Sequence, residues 1–364
     1  MNRSISNVVI SNVMILAIAH ALVACGGARP IGDDATARSE DGDGPRRAPR
    51  RGAASGGDEE EEEEEVDPAI AAERRELADF PLGPRIAIPG TGISVEPPRG
   101  SERSGVGSTL VHPRRRIQIV IAAAEGDLSV HQQFRTGLRA EAEEIESEEI
   151  EINGEPATLI VDRMSQGDVE LERVWAIQRN GTRSGAVMGV YAADRAEVLR
   201  DYLRASIRTM QLDPSVAIDP EVALGWRVQP GEGLQLVRAA STNVSYSPDG
   251  QPPPGVGAPM LLLMPLPVEV PASERAALCP QILAQLVQVS SADAAQGTID
   301  AGEVTGCDTS ATTTDEPRLT TYAALVFRGD AAFMVVASAN AAPRSPWLQR
   351  FRAAARTLEP VATE

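Results

Sequence analysis

The sequence lacks lysine altogether, and all 34 of its basic residues are arginine. Aromatic residues make up only 3%, so any packed core has to be built mostly from valine, leucine, isoleucine, alanine and methionine. Acidic residues outnumber basic ones and leave a net charge of −18. Because nucleic-acid backbones are bound through basic patches, this balance argues against a nucleic-acid partner.

The sequence also lacks the compact signatures of enzyme active sites. It has no Gly-x-Ser-x-Gly elbow, no phosphate-binding P-loop and no dinucleotide-binding glycine fingerprint. The three histidines are His20, His112 and His131, and a zinc site needs three or four ligands held close together. We therefore predict no metal, no cofactor and no catalytic residue. Carboxylates are plentiful, so an envelope hydrolase that uses a pair of them remains an alternative.

The first 25 residues have the pattern of an export signal. Arg3 precedes a nearly apolar stretch from 8 to 19, which is too short and too interrupted for a membrane span. The stretch leads to Leu22-Val23-Ala24-Cys25, which resembles the bacterial lipobox. The resemblance implies that residues 1–24 are a signal peptide and that Cys25 is acylated, which would anchor the chain to a membrane. Gly26 after the cysteine implies the outer membrane.

An acidic, low-complexity segment follows the cysteine. Residues 25–80 lack hydrophobic periodicity, which predicts a disordered tether. From 26 to 80 there are 17 acidic residues and 8 arginines, a balance of −9. The arginines include a cluster at Arg46, Arg47, Arg50 and Arg51, and the acids include an unbroken run from Asp58 to Glu65. Such a tether spans roughly 35–40 Å root-mean-square. We interpret it as a spacer, and a cation- or partner-binding tail is the alternative.

The region from 81 to 215 is predicted to be a first α+β domain. Strands are expected near 93–96, 109–111 and 117–123, and then a helix over 129–144 with Ser129 as its N-cap. The pairs Asn153-Gly154 and Asn180-Gly181 are typical of tight hairpin turns, so an antiparallel meander should follow. A second helix is expected over 194–210.

The region from 216 to 364 shows the same order of elements. Strands are expected near 234–238, 243–246 and 260–270, and then a helix over 273–287 in which Pro280 marks a kink or the true start. The half is completed by further strands near 304–309 and 319–327, a turn at Arg328-Gly329-Asp330, a strand over 332–338 and a helix over 346–358. Residues 204–210 also match 352–358 without gaps. Tandem domains are therefore the better interpretation, and one larger domain is the alternative.

This order of elements resembles the PsbP/DcrB-like family of α-β-α sandwich domains. The residues that carry the resemblance are the opening strand Gly92–Pro98, the Ile152-Asn153-Gly154 hairpin, the long antiparallel strands and the closing helix at Ser206-Ile207. The resemblance implies an antiparallel sheet covered by helices. It also implies an extracytoplasmic accessory or lipoprotein role, mostly without enzymatic activity, and it supplies no catalytic residues.

Two cysteines, Cys279 and Cys307, remain once Cys25 is set aside. An even pair in an oxidising compartment predicts a disulfide, and two buried free thiols are the alternative. Closing this loop would contribute roughly 3–4 kcal/mol in the chain-entropy model.

The first domain also contains one cluster of glutamates and one cluster of arginines. Seven glutamates lie between positions 141 and 151. They predict either a solvated face or a patch that binds a cation or a basic partner. Arg114–Arg116 are interpreted as a guard on an edge strand, or as a contact for lipid headgroups. The sequence thus predicts a non-enzymatic envelope lipoprotein that binds an unknown envelope protein or component. A cation- or small-ligand-binding module and a carboxylate hydrolase remain as alternatives.

Overall fold

The structure is a computed structural model that describes most of the chain from Leu82 onward. Cys25, the signal segment and the tether lie outside the described residues. The described residues are 82–105, 107–126, 131–132, 136, 142–166, 169–253, 255, 257–266, 270–286, 295–313, 318–329, 331–341 and 346–361.

The described chain begins with a short hairpin of strands β1 (Ile86–Ile88) and β2 (Ile93–Val95). Just before it, Leu82 forms a β-bridge with Pro98, and the Gly83 N–H donates to the Pro97 carbonyl at 2.7 Å. These contacts fix the first described residues against the turn that follows β2.

A seven-stranded antiparallel sheet forms the first half of the fold. Its strand order is β3-β4-β5-β9-β8-β7-β6, so β5 and β9 meet in the middle and β6 lies at one edge. Its strands are β3 (Glu102–Arg103), β4 (Thr109–His112), β5 (Ile117–Glu125), β6 (Glu143–Ile152), β7 (Glu155–Gln166), β8 (Val169–Asn180) and β9 (Arg183–Ala192).

Helix α1 (Ala196–Ile207) covers one face of this sheet after a 3₁₀ turn at Ala193–Arg195. Its apolar residues recur at helical spacing, and Leu199, Leu203 and Ile207 are fully buried against the sheet. A β-carbon at Gly189 would lie 2.9 Å from Leu203 Cδ2, so glycine there allows the close approach. Strand β10 (Gln211–Leu212) then pairs with β2.

A short segment links the two halves. Helix α2 (Pro220–Leu224) is capped by Asp219, whose Oδ1 accepts from the Val222 N–H at 3.2 Å. Gly225 ends the helix with a φ of 75°, as is usual for a left-handed C-terminal residue. Strand β11 (Trp226–Arg227) pairs with the last strand, β19 (Glu359–Pro360).

The second half repeats the first. Its sheet has the order β12-β13-β14-β18-β17-β16-β15, which is the first order position for position. Helix α3 (Ala272–Leu286) follows β14, and helix α4 (Trp347–Ala355) follows β18. The strands are β12 (Gln235–Val237), β13 (Val244–Ser247), β14 (Met260–Leu266), β15 (Ala295–Ala301), β16 (Val304–Thr312), β17 (Leu319–Arg328) and β18 (Ala331–Asn340).

The predicted α+β class with two tandem antiparallel-sheet units is thus confirmed. The sheets touch where β5 ends, because Ala124 bridges Ala240 and the Glu125 N–H donates to the Ala239 carbonyl at 2.8 Å. The boundary between domains at residues 215 and 216 stays a prediction.

Several local predictions need correction. The helix over 129–144 cannot reach its predicted end, because Glu143 and Glu144 already pair with β7. Residues 131, 132 and 136 are helical, and the rest of that stretch lies outside the described residues. The second hairpin turns at Gly181-Thr182, because Asn180 still pairs with Arg183. Helix α3 starts eight residues before Pro280, which therefore does not mark its start.

Within the part of the chain that is described, no helix is both long and apolar enough to cross a bilayer.

Candidate functional site

Strand β6 is an exposed acidic edge of the first sheet. Its sequence is Glu-Glu-Ile-Glu-Ser-Glu-Glu-Ile-Glu-Ile, and every side chain from Glu143 to Glu149 is exposed. In the described structure it pairs on one side only, with β7. A register shift between Glu144 and Glu146 leaves the Ile145 side chain 43% exposed. The predicted glutamate patch is therefore one continuous strand edge. Glu141, the first of the seven, lies outside the described residues.

Part of the acidic edge is already neutralised from helix α1. Arg204 pairs with Glu146, and Arg208 Nη2 lies 3.0 Å from Glu148 Oε2. On the other face Glu149 accepts a hydrogen bond from Thr158 Oγ1 at 2.9 Å. These contacts fix the position of β6 against its own sheet, and no other described strand pairs with its outer side.

The equivalent edge of the second sheet has a different character. Strand β15 occupies the same position in the strand order as β6, yet Asp300 is its one charged residue. The fold therefore does not require an acidic edge at this position. The glutamates of β6 are a property of the first unit alone.

Beneath helix α1 lies a buried carboxylate network. Glu172 on β8 is fully buried and accepts from Arg200 Nε and Nη2, both at 2.8 Å, and from the Tyr191 hydroxyl at 2.5 Å. Burial raises the pKa of Glu172, but the donors from Arg200, Tyr191 and Arg163 outweigh it and bring the net pKa below its ordinary value. A carboxylate that stays ionised and closed to solvent cannot serve as a general acid.

The opposite face of the same sheet carries a second buried ion pair. Arg173 Nε and Nη2 donate to the two oxygens of Asp162 at 2.6 and 2.8 Å, and Trp175 Nε1 donates to Asp162 Oδ2 at 2.9 Å. All three side chains are almost completely buried. Such a bidentate, fully hydrogen-bonded pair fixes the alignment of β7 with β8.

The second unit places a carboxylate under its own closing helix. Asp308 on β16 lies 3.5 Å from Arg352 Nε, and Arg352 Nη2 donates to Ser310 Oγ at 3.2 Å. Burial, together with the charge of Asp308, raises the pKa of the Tyr322 hydroxyl. Each unit thus uses an arginine from its last helix to hold a buried acid, and the acids themselves come from different strands.

The remaining sequence candidates have structural partners. Cys279 on α3 and Cys307 on β16 form a disulfide with a Cα–Cα distance of 5.9 Å. His112 uses both ring nitrogens on backbone groups, and His131 Nδ1 lies 2.9 Å from Ser184 Oγ. Among the described residues no group of three His, Cys, Asp or Glu side chains could hold a metal ion. Gly329 forms part of a tight turn, since Arg328 pairs with Ala331.

Sequence reasoning missed one feature of the first unit and misinterpreted another. The Glu172–Arg200 network joins residues far apart in the chain, and nothing local distinguishes Glu172 from its exposed neighbour Glu170. Arg114–Arg116 lie in the turn between β4 and β5 and not on an edge strand, so the interpretation as an edge guard is wrong.

No protein-family model matches the chain, and no curated protein matches it. Among solved structures, the PsbP protein CyanoP from Synechocystis sp. PCC 6803 is similar at 13% identity and a TM-score of 0.29, over 36% of this chain and 92% of that chain. The T6SS immunity protein TplEi from Pseudomonas aeruginosa is similar at 11% identity and a TM-score of 0.29, over 76% of this chain and 97% of that chain. At these scores the likeness is limited to parts of the fold and says nothing about function.

Proposed function

We propose that this protein is a non-enzymatic lipoprotein of the bacterial envelope that binds a protein partner along the β6 edge. The observation that carries the proposal is a ten-residue strand with seven successive exposed residues, one side of which pairs with no other described strand. Alternate N–H and C=O groups of an edge strand point away from the sheet and can pair with an added strand. Such an edge is a ready-made site for an extended segment.

The charge of β6 selects among the segments that could pair there. Like charges opposite one another destabilise a strand pair, so two copies of this edge repel each other. An extended segment with arginine or lysine side chains would instead face carboxylates on both sides of the sheet. The edge therefore excludes self-pairing and favours a basic partner.

The buried acids support a binding role over a catalytic one. Glu172 and Asp162 are both buried and paired with arginines, so neither can reach a substrate. A glycosidase-type pair needs two accessible carboxyl groups about 5–9.5 Å apart. The ion pairs fit a rigid scaffold that presents its edge.

The lipid anchor rests on Cys25 and the lipobox resemblance. Its test is expression of the full chain beside Cys25→Ser in a lipoprotein-competent bacterium with labelled palmitate. We expect label and outer-membrane fractionation for the wild type and neither for the variant. Equal behaviour of the two chains would exclude Cys25 as the anchor.

Binding along the β6 edge is tested with peptides of defined sequence. A peptide of alternating arginine and valine should bind the purified chain, and its glutamate–valine counterpart should not. Replacing Glu149 and Glu151 with glutamine should weaken binding about tenfold, because rim charges act mainly on electrostatic attraction. The control pair Glu232→Gln and Glu274→Gln removes the same charge from exposed positions in the second unit. An equal loss of peptide binding in both double variants would mean that net charge, and not the β6 edge, controls binding.

A further inference from the structure

One end of the first sheet carries three neighbouring arginines, which we call the arginine tip: Arg99, Arg114 and Arg116. Arg114 and Arg116 lie in the four-residue turn that joins His112 on β4 to Ile117 on β5. Arg116 has a φ of 52°, a left-handed conformation that is uncommon for a residue with a side chain. Arg99, Arg114 and Arg116 are exposed.

The buried His112 holds the tip together. Its Nδ1 accepts from the Arg115 N–H at 3.3 Å, so its Nε2 carries the proton and donates to the Arg99 carbonyl at 3.1 Å. One imidazole thus ties the turn that contains Arg99 to the turn that contains Arg114–Arg116. Gly100 has a φ of 92°, and its missing β-carbon would lie 3.4 Å from the imidazole Nε2. The arginines are therefore brought together by the fold.

The three arginines of the tip differ from most other described arginines in their lack of a carboxylate partner. Within the described residues, Arg99, Arg114 and Arg116 make no ion pair. Elsewhere most arginines do, at Arg85, Arg163, Arg173, Arg183, Arg200, Arg204, Arg208, Arg227, Arg238, Arg328 and Arg352. A chain with a net charge of −18 thus leaves these three neighbouring arginines outside the ion pairs of its described part.

The place of the tip in the fold points to its occupant. The tip lies at the opposite end of β5 from Glu125, where the second unit makes contact. It also adjoins the first described residue, because Leu82 bridges Pro98, the residue before Arg99. The acidic run from Asp58 to Glu65 ends 17 residues before Leu82. An unstructured chain of 17 residues would span roughly 23 Å root-mean-square, which is long enough for the run to contact the tip.

We propose that the acidic run Asp58–Glu65 of the same chain occupies the arginine tip. Eight successive carboxylates complement the unpaired guanidinium groups, and the short connection gives an effective concentration on the order of millimolar. The other charged surface of this unit, β6, is acidic and repels the run. The contact weakens at high salt, since exposed charges carry it. The proposal does not depend on acylation of Cys25 or on a partner at β6.

The absence of lysine supplies a sharp test. A carbodiimide joins carboxylates to primary amines, and the wild-type chain has no side-chain amine. Arg114→Lys keeps the positive charge and places one amine at the tip. Arg318→Lys is the matched control at an exposed position in the second unit. Mass spectrometry of chains that start at Cys25 then identifies the joined residues.

We expect Arg114→Lys to be joined to the run 58–65 about tenfold more than Arg318→Lys, and high salt should abolish the difference. Equal joining in the two variants, or none to the run from position 114, would overturn the proposal.

Vesicles containing phosphatidylglycerol provide a second readout, because membrane phosphates would compete for the same arginines. Replacing Glu59–Glu65 with glutamine should increase vesicle binding, and adding Arg114→Gln and Arg116→Gln should remove the increase. Strong vesicle binding by the wild type that does not change in the glutamine variant would assign the tip to a membrane and would exclude the run as its occupant.

Discussion

Asp308 on β16 lies opposite Gly297 on β15, its partner in the strand register. A β-carbon at Gly297 would meet the Asp308 carboxylate well inside van der Waals contact. The edge strand of the second sheet therefore carries glycine where the neighbouring strand buries an acid.

Gly297→Ala should lower the free energy of unfolding by about 1–3 kcal/mol, because the displaced Asp308 loses its contact with Arg352. Urea denaturation followed by tryptophan fluorescence measures the change. Gly105→Ala is the control, since a β-carbon there meets nothing within 4 Å, and it should have little effect. An equal loss in both variants would show that helix α4 does not depend on the carboxylate.

Glu172→Gln should lower the free energy of unfolding by about 2–3 kcal/mol at neutral pH, because it removes a charge that Arg200 and Tyr191 stabilise. The folded-state pKa of Glu172 lies below its ordinary value. Its contribution is therefore complete above the unfolded pKa and is lost as the pH falls through the folded pKa. The difference between wild type and variant should shrink in acid. Glu170→Gln, two residues away and exposed, should show neither effect.

Replacing Cys279 and Cys307 together with serine should lower the free energy of unfolding by about 3–4 kcal/mol, because the unfolded chain regains the freedom of a loop of 28 residues. Unfolding in the presence and absence of reductant measures the effect on the wild type. The double variant should be insensitive to reductant. Alkylation of Cys279 and Cys307 in the unreduced, unfolded wild type would contradict the bond.

Asn153 combines a left-handed φ of 53° with a hydrogen bond from its Nδ2 to the Met210 carbonyl at 2.6 Å. Asn153→Gly keeps the backbone conformation and loses the hydrogen bond, which should lower the free energy of unfolding by about 1 kcal/mol. Asn153→Val loses both and should cost about 2–3 kcal/mol. If the two variants were equally stable, the turn conformation would not matter to the hairpin.

The parts of the fold that sequence could predict are those set by short-range chemistry. The Asn153-Gly154 turn needs only two residues with positive φ, and both have it, at 53° and 80°. The apolar residues of helix α1 recur at helical spacing, which is visible in a short stretch of sequence. The pairing of Cys279 with Cys307 follows from counting, because only two cysteines remain beyond Cys25.

The parts that escaped prediction depend on distant partners. Strand β6 is exposed on both faces over most of its length, so its sequence lacks the alternation of apolar and polar residues that predicts a strand. Only the pairing with β7 makes it a strand. Among the described side chains of strand β15 only Ile299 is buried, and the small residues of the strand are typical of a loop. The arginine tip assembles around His112 from two turns that are separated along the chain.

Each large sheet takes all its described strands from one continuous stretch of chain, 102–192 for the first and 235–340 for the second. The first sheet and its closing helix are therefore complete before any strand of the second sheet has been synthesised or exported. The two halves can fold in sequence, and an error in the second leaves the strand pairing of the first intact. Pulling the chain from its ends should accordingly give two separate unfolding steps.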